Sequence, residues 1–184
     1  RRISELIEPV VSLAFIYDRI NGKLVGALDA FALDVAGRHA LDAGASTGGF
    51  CDVLLRRGIA AVIAVDVGYG QLHPRLRGDG RVTVLERTNA RKLAELPFAP
   101  DLVVCDVSFI SVTKALPRVL ELAKPGWEAL VLVKPQFELP KGSRGAAARD
   151  DPAARRQAVS RFAHKAESLG FEIVATRDSP VAGA

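Results

Sequence analysis

Hydrophobic residues recur along the chain in two registers. They keep helical spacing from Ile3 to Arg19 and again from Lys23 to Leu33, which predicts two helices. After Gly37 the texture changes to short apolar runs, each followed by a turn and an amphipathic stretch. His39–Asp42 predicts a strand and Thr47–Arg57 a helix. Ala60–Asp66 (AAVIAVD) is continuously apolar and rich in Val and Ile, as a strand buried on both faces must be. Arg81–Leu85 and Asp101–Asp106 predict further strands, the latter followed by a helix over Ser111–Leu122. Trp127–Val133 is a fifth strand, Pro152–Leu169 a long helix and Phe171–Thr176 the start of a sixth strand. Strands alternating with helices predict an α/β fold, a mostly parallel sheet with helices on both faces. The segment KGSRGAAARDD, Lys141–Asp151, has no periodicity and reads as a loop.

Composition narrows the class only a little. The 184 residues suffice for one domain with a substantial core, and 49% hydrophobic with 25% charged residues is ordinary for a globular fold. A net charge of +4 permits an anionic partner such as RNA without requiring one. Cys51 and Cys105, the two cysteines, fit neither a disulfide framework nor a metal cluster, and His39, His73 and His164 stand in unrelated contexts. No metal site is expected, and a reducing, cytoplasmic setting is. No run approaches the ~20 apolar residues of a membrane span. The sequence lacks methionine and opens on Arg1, so it reads as part of a longer protein.

The candidate chemistry gathers where the predicted strands end. ALDAGASTGGF, beginning at Ala40, places Asp42 and three glycines, Gly44, Gly48 and Gly49, between a strand and a helix. Glycines there let the backbone approach a ligand, and the helix start offers free N–H groups. The spacing is D-x-G-x-x-x-G-G rather than the G-x-G-x-x-G of dinucleotide folds. With Asp42 pointing into the site it would repel a pyrophosphate and suit a cationic sulfonium such as S-adenosylmethionine. Asp66, ending the second core strand, is placed to accept hydrogen bonds from ribose hydroxyls. Ser46, Thr47 and Phe50 are assigned to the methionine end, Val67 and Gly68 to the ribose side, and Thr88 and Asn89 to the adenine.

Two further strand ends carry ionisable groups on the same rim, Asp106 before Val107-Ser108-Phe109 and Lys134 before Pro135-Gln136-Phe137-Glu138. A lysine directly after the run LVLV stands at the edge of a dry interior, the setting in which an amine serves as a base or acceptor. Asp106 is placed to orient it. Arg75, Arg77, Arg81, Arg87 and Arg91, with Lys141 and Arg144, are candidates for phosphate contacts.

Taken together, DAGASTGGF, AVDVGYGQLHPRLR, ERTNAR, DLVVCDVSFIS, LVKPQFE and SPVAG resemble the TlyA family from about Arg19 onward. These are FtsJ-like ribosomal RNA 2′-O-methyltransferases, several of which also carry the name haemolysin. The resemblance implies a Rossmann-like methyltransferase fold with its C-terminal strand hairpin truncated here. It implies S-adenosylmethionine as methyl donor and ribosomal RNA or ribosomal subunits as partner. It further implies a Lys-Asp-Lys-Glu tetrad. DRINGKL places Lys23 on the first Lys and Arg19 on a neighbouring Arg, although the family's glycine pair is here Ile20 and Asn21. Asp106 and Lys134 take the next two places. The family's Glu follows S-P-x-x-G by several residues, and this sequence stops at Gly183-Ala184, leaving that position and the family's preceding S4 RNA-binding domain outside it. Glu138 belongs to the KPQFE turn and is a poor substitute. Residues 1–36 are expected to lead into a methyltransferase domain over residues 37–184. Two competing readings are a membrane-active haemolysin and a nicotinamide-dependent oxidoreductase. The first lacks an apolar span and the second lacks its glycine spacing.

Overall fold

A computed structural model of the chain describes residues 10–12, 20–140 and 151–176. Seven strands form one sheet in the order β4-β3-β2-β5-β6-β1-β7. They are β1 (Val10–Ser12), β2 (His39–Ala43), β3 (Ala61–Val65), β4 (Val82–Leu85), β5 (Leu102–Cys105), β6 (Glu128–Val131) and β7 (Glu172–Ala175). Every pairing is parallel. The helices are α1 (Ile20–Ala30), α2 (Gly49–Arg56), α3 (Pro74–Arg77), α4 (Val112–Glu121), α5 (Pro135–Glu138) and α6 (Pro152–Ser168). The chain walks from β2 through β3 to β4 in one direction, then returns to β5 on the other side of β2. That reversal places the topological switch point, and with it the crevice of an open α/β sheet, between the carboxyl ends of β2 and β5.

Alternation along the strands divides the core in two. Ala40, Val62, Ala64, Leu102, Val104 and Leu130 face one layer with Leu24, Leu28, Cys51 and Leu54 of α1 and α2. Leu41, Ala43, Ile63, Val65, Val103, Cys105 and Ala129 face the other, with Leu116 and Val119 of α4 and Phe162 of α6. Period-two side chains buried on both sides explain the continuous apolar runs. Trp127 is fully buried beside β6 and meets Phe171 edge-on at 5.8 Å between ring centroids.

The expected order of elements is observed from Lys23 to Thr176, with boundaries moved by a few residues. The expected helix over Ile3–Arg19 is not: Val10–Ser12 is a strand inserted between β6 and β7, and the remainder of that span lies outside the described residues. A short apolar run satisfies helix and strand periodicity alike. Arg19, Lys141, Arg144 and the SPVAG segment also lie outside the described residues.

At the opposite, amino edge of the sheet Arg38 binds three strands together. Its guanidinium donates to Glu128, to the Asp101 carboxylate at 3.3 Å and to the Asp101 carbonyl. Asp101 also accepts from the His39 amide at 3.1 Å. Removing the arginine strands two partly buried carboxylates. Arg38→Ala is expected to lower unfolding free energy by about 2 kcal/mol, read as a lower urea midpoint. Binding of S-adenosylhomocysteine to the folded variant should not change, because the clamp lies at the far end of every strand.

Candidate active site

The loop leaving β2 turns sharply at Gly44, whose φ of +88° and surroundings both require glycine. A Cβ there would stand 2.8 Å from the Asp106 carbonyl oxygen at the end of β5. The close approach opens a cleft of about 550 Å³, lined by Gly44, Ser46, Asp66, Val67, Gly68, Thr88, Asn89, Arg91, Asp106, Ser108 and Phe109. That is the size of a nucleoside-like ligand. Asp66 ties the walls together by accepting the Ser46 amide at 2.8 Å and the Gly68 amide at 2.7 Å. Each oxygen keeps a lone pair for a ligand hydroxyl. Thr88 and Asn89 face the same cleft while holding local turns, the Thr88 hydroxyl donating to the Glu86 carbonyl and Asn89 accepting the Arg91 amide.

Beyond Asp106 the rim continues toward β6 and α1. Lys134, at the end of β6, approaches Asp106 Oδ1 to 2.6 Å and donates to Ser108 Oγ at 2.7 Å. Lys23, in the first turns of α1 and buried, reaches Asp106 Oδ2 at 3.8 Å. One carboxylate thus holds two lysines from elements far apart in sequence, and the expected Lys-Asp-Lys group is assembled. Glu138 does not join it. Its carboxylate caps α4, accepting the Val112 amide at 2.8 Å and the Ser111 hydroxyl at 2.6 Å.

Several expected ligands fall elsewhere. Phe50 is buried in the core under α2, because a ring at that first-turn position faces the sheet. Thr47, Gly48 and Gly49 line a neighbouring cavity of about 700 Å³, with Arg75, Arg77 and Tyr69, rather than the cleft itself. Arg77 pairs with Glu86 at 2.6 Å and Arg81 with Asp79 at 2.7 Å, so their charges are already matched. Arg87 lies over the Tyr69 ring. Arg75 and Arg91 are exposed and have no acidic partner among the described residues. Sequence reasoning assigned no role to Ser108, which orients Lys134, or to Phe109. Phe109 is 92% exposed with φ +67°, an apolar ring held outward in a costly backbone conformation at the cleft's edge. Both stand within the DVSF segment, and an aromatic directly after a polar strand end was the available signal.

Asp42, expected in the cleft, is fully buried. It shares its sheet face with Ala40 and is in register with Ala64 and Val104, so parity turns it beneath α2. There Oδ2 accepts from the Cys51 thiol at 3.2 Å, while Oδ1 has no hydrogen-bond partner. Burial, with smaller repulsion from Asp106 and Asp66 and against the Cys51 hydrogen bond, pushes the Asp42 carboxyl up to about 7. Burial likewise pushes the Cys51 thiol up, and the Cys105 thiol to about 12. Because the folded value for Asp42 lies above its ordinary 3.8, its contribution to stability is complete below that pH and lost as pH rises through about 7. Asp42→Asn should therefore be more stable than the unmodified protein at about pH 8, with the gap closing toward about pH 5. Urea midpoints at the two pH values check this, and a gap independent of pH would contradict it.

The profile of the FtsJ-like methyltransferase family matches residues 18–184. The 16S/23S rRNA (cytidine-2′-O)-methyltransferase TlyA of Mycobacterium tuberculosis is 52% identical over 164 residues, 88% of this chain and 61% of its own length. Hemolysin A of Brachyspira hyodysenteriae is 38% identical, covering 97% of this chain and 75% of that protein. A solved structure from Streptococcus thermophilus superposes with a TM-score of 0.84 at 36% identity, over 89% of this chain and 61% of that one. This chain therefore spans about three fifths of the mycobacterial protein's length. No helix among the described residues is long and apolar enough to cross a membrane. With a parallel sheet, a cleft at its switch point and a profile that matches nearly the whole chain, the protein belongs to the FtsJ-like methyltransferase family.

Proposed function

We propose that the protein transfers a methyl group from S-adenosylmethionine to the ribose 2′-oxygen of a cytidine in ribosomal RNA. The observation that carries this reading is the lysine pair on Asp106, at the edge of a nucleoside-sized cleft. The cleft suits the cofactor through its donor set. Asp66 offers carboxylate lone pairs for the two ribose hydroxyls, and Gly44 leaves bare backbone beside them. Thr88 and Asn89 stand where the adenine edge would lie. Asp66 has no cationic partner among the described residues and can face a cationic ligand, whereas Asp106 is matched by Lys23 and Lys134, and Arg91 lines the same cleft.

When bound, the cofactor supplies an electrophilic methyl on a sulfonium. The chain's own residues then have to align an alcohol and relieve it of a proton. Lys134, aimed by Asp106 and Ser108, assists removal of the 2′-hydroxyl proton, and the Asp106 carboxylate keeps the lysine nitrogen directed at that oxygen. Lys23 approaches from the other side of Asp106 and holds the ribose or its phosphate. Phe109 presents an open ring face on which the acceptor base can stack. Holding two reactants in line contributes to the rate by sparing the entropy of bringing them together.

Lys134→Ala in the intact protein should reduce methyl transfer to ribosomal RNA by at least ~100-fold, the range for a positioned proton-transfer group. Affinity for S-adenosylhomocysteine by isothermal titration should stay within a few-fold. Undiminished transfer would remove Lys134 from this role, and tight binding of NAD in place of S-adenosylhomocysteine would overturn the methyltransferase reading.

A further inference from the structure

A third concavity, of about 500 Å³, lies beside the catalytic rim among the elements that follow β5 and β6. Its walls come from α4, α5 and α6. Lys114 projects from the first, Phe137 and Glu138 from the second, and Arg161, His164 and Lys165 from the third. What sets this wall apart is that three cations without acidic partners share one concavity, while many arginines elsewhere are paired. Arg56, Arg57, Arg77, Arg81 and Arg118 each sit on a nearby carboxylate, and Arg38 sits on two. Lys114, Arg161 and Lys165 have no acidic partner among the described residues, and all three are exposed. The acid in the lining, Glu138, is committed to the Ser111 hydroxyl and the Val112 amide. Cations gathered in a concave wall without counter-charges focus a positive field and recruit an anion.

Continuity says which anion. Phe137 belongs both to this concavity and to the rim, where its ring lies 5.5 Å from that of Phe109 and 6.0 Å from the Lys134 ammonium. The cofactor cleft opens toward β3, on the far side of Asp106. Lys134 precedes α5, and Phe137 carries the rim into this surface, which gives an acceptor strand a way to the amine. We propose that the α4–α6 concavity is a phosphate-binding tract for the RNA strand next to the target nucleotide, with Lys114, Arg161 and Lys165 as its contacts and His164 beside them. This rests on the reading of the protein as an RNA methyltransferase. It gives that reaction a substrate path distinct from the arginines that the sequence first suggested. Contacts of this kind position the strand without reading its sequence.

The test is equilibrium binding of fluorescein-labelled single-stranded oligocytidylate RNA to the intact protein over a range of salt. It compares the unmodified protein with the triple variant Lys114→Ala, Arg161→Ala, Lys165→Ala. The triple variant should bind roughly 10- to 100-fold more weakly, and its slope of log affinity against log salt should shrink by about two, near 0.7 for each single-strand phosphate lost. S-adenosylhomocysteine affinity and thermal midpoint should not move. The charge-conserving triple variant Lys114→Arg, Arg161→Lys, Lys165→Arg should keep RNA binding. Unchanged RNA affinity and salt slope in the alanine variant would overturn the proposal, as would no measurable RNA binding by the unmodified protein. Loss of polyglutamate binding with RNA binding intact would overturn it in favour of an acidic protein partner. Binding is read without turnover, so absence of methyl transfer by the unmodified protein sinks the enzymatic reading through a separate observable.

Discussion

The arrangement turns on one close approach. Where β2 and β5 part at the switch point, the chain at Gly44 passes the Asp106 carbonyl so tightly that no side chain fits between them. Gly44 adopts a left-handed backbone to do so. That contact fixes the loop whose Ser46 amide is tied to Asp66, and it fixes where β5 ends. It therefore sets the distance between the group that would hold the donor and the group that organises the acceptor. The rest of the sheet, clamped at its other edge by Arg38, holds the two strand ends in place.

Electrostatics sorts three acids on neighbouring strands into different roles. Asp106 reaches the rim and is matched by two lysines, from α1 and from the end of β6. Asp66 is held by two backbone amides with lone pairs to spare. Asp42, one residue short of its strand end, is drawn under α2, where burial favours its protonated form and the Cys51 thiol is its hydrogen-bond partner. Of the three, only Asp66 faces the cleft without a cationic partner among the described residues. Beyond β5, Lys114, Arg161 and Lys165 have no acidic partner among the described residues.

Much of this was legible in the sequence, for identifiable reasons. Strands buried on both faces must be continuously apolar, so β3, β5 and β6 announced themselves, and strand ends in a parallel sheet share one edge, so Asp66, Asp106 and Lys134 could be grouped. The three residues of β1 could not be told from helix, because a run as short as VVS fits either period. Asp42 was misplaced because side-chain direction inverts with a single step along a strand, and the strand's last residue is Ala43. Phe50 was misplaced for the parallel reason on α2. The short helices α3 and α5 each begin with proline, at Pro74 and Pro135, a local signal that went unused. Which arginines keep a free charge is decided by acids such as Glu86, brought near only by the fold.

The central claim is that this rim methylates ribose in ribosomal RNA. Mass-spectrometric mapping of 2′-O-methylated nucleotides in ribosomal RNA, from cells with and without the gene, tests it most directly. The account predicts at least one cytidine that carries a ribose methyl only when the gene is present. Identical methylation maps in the two strains would contradict it.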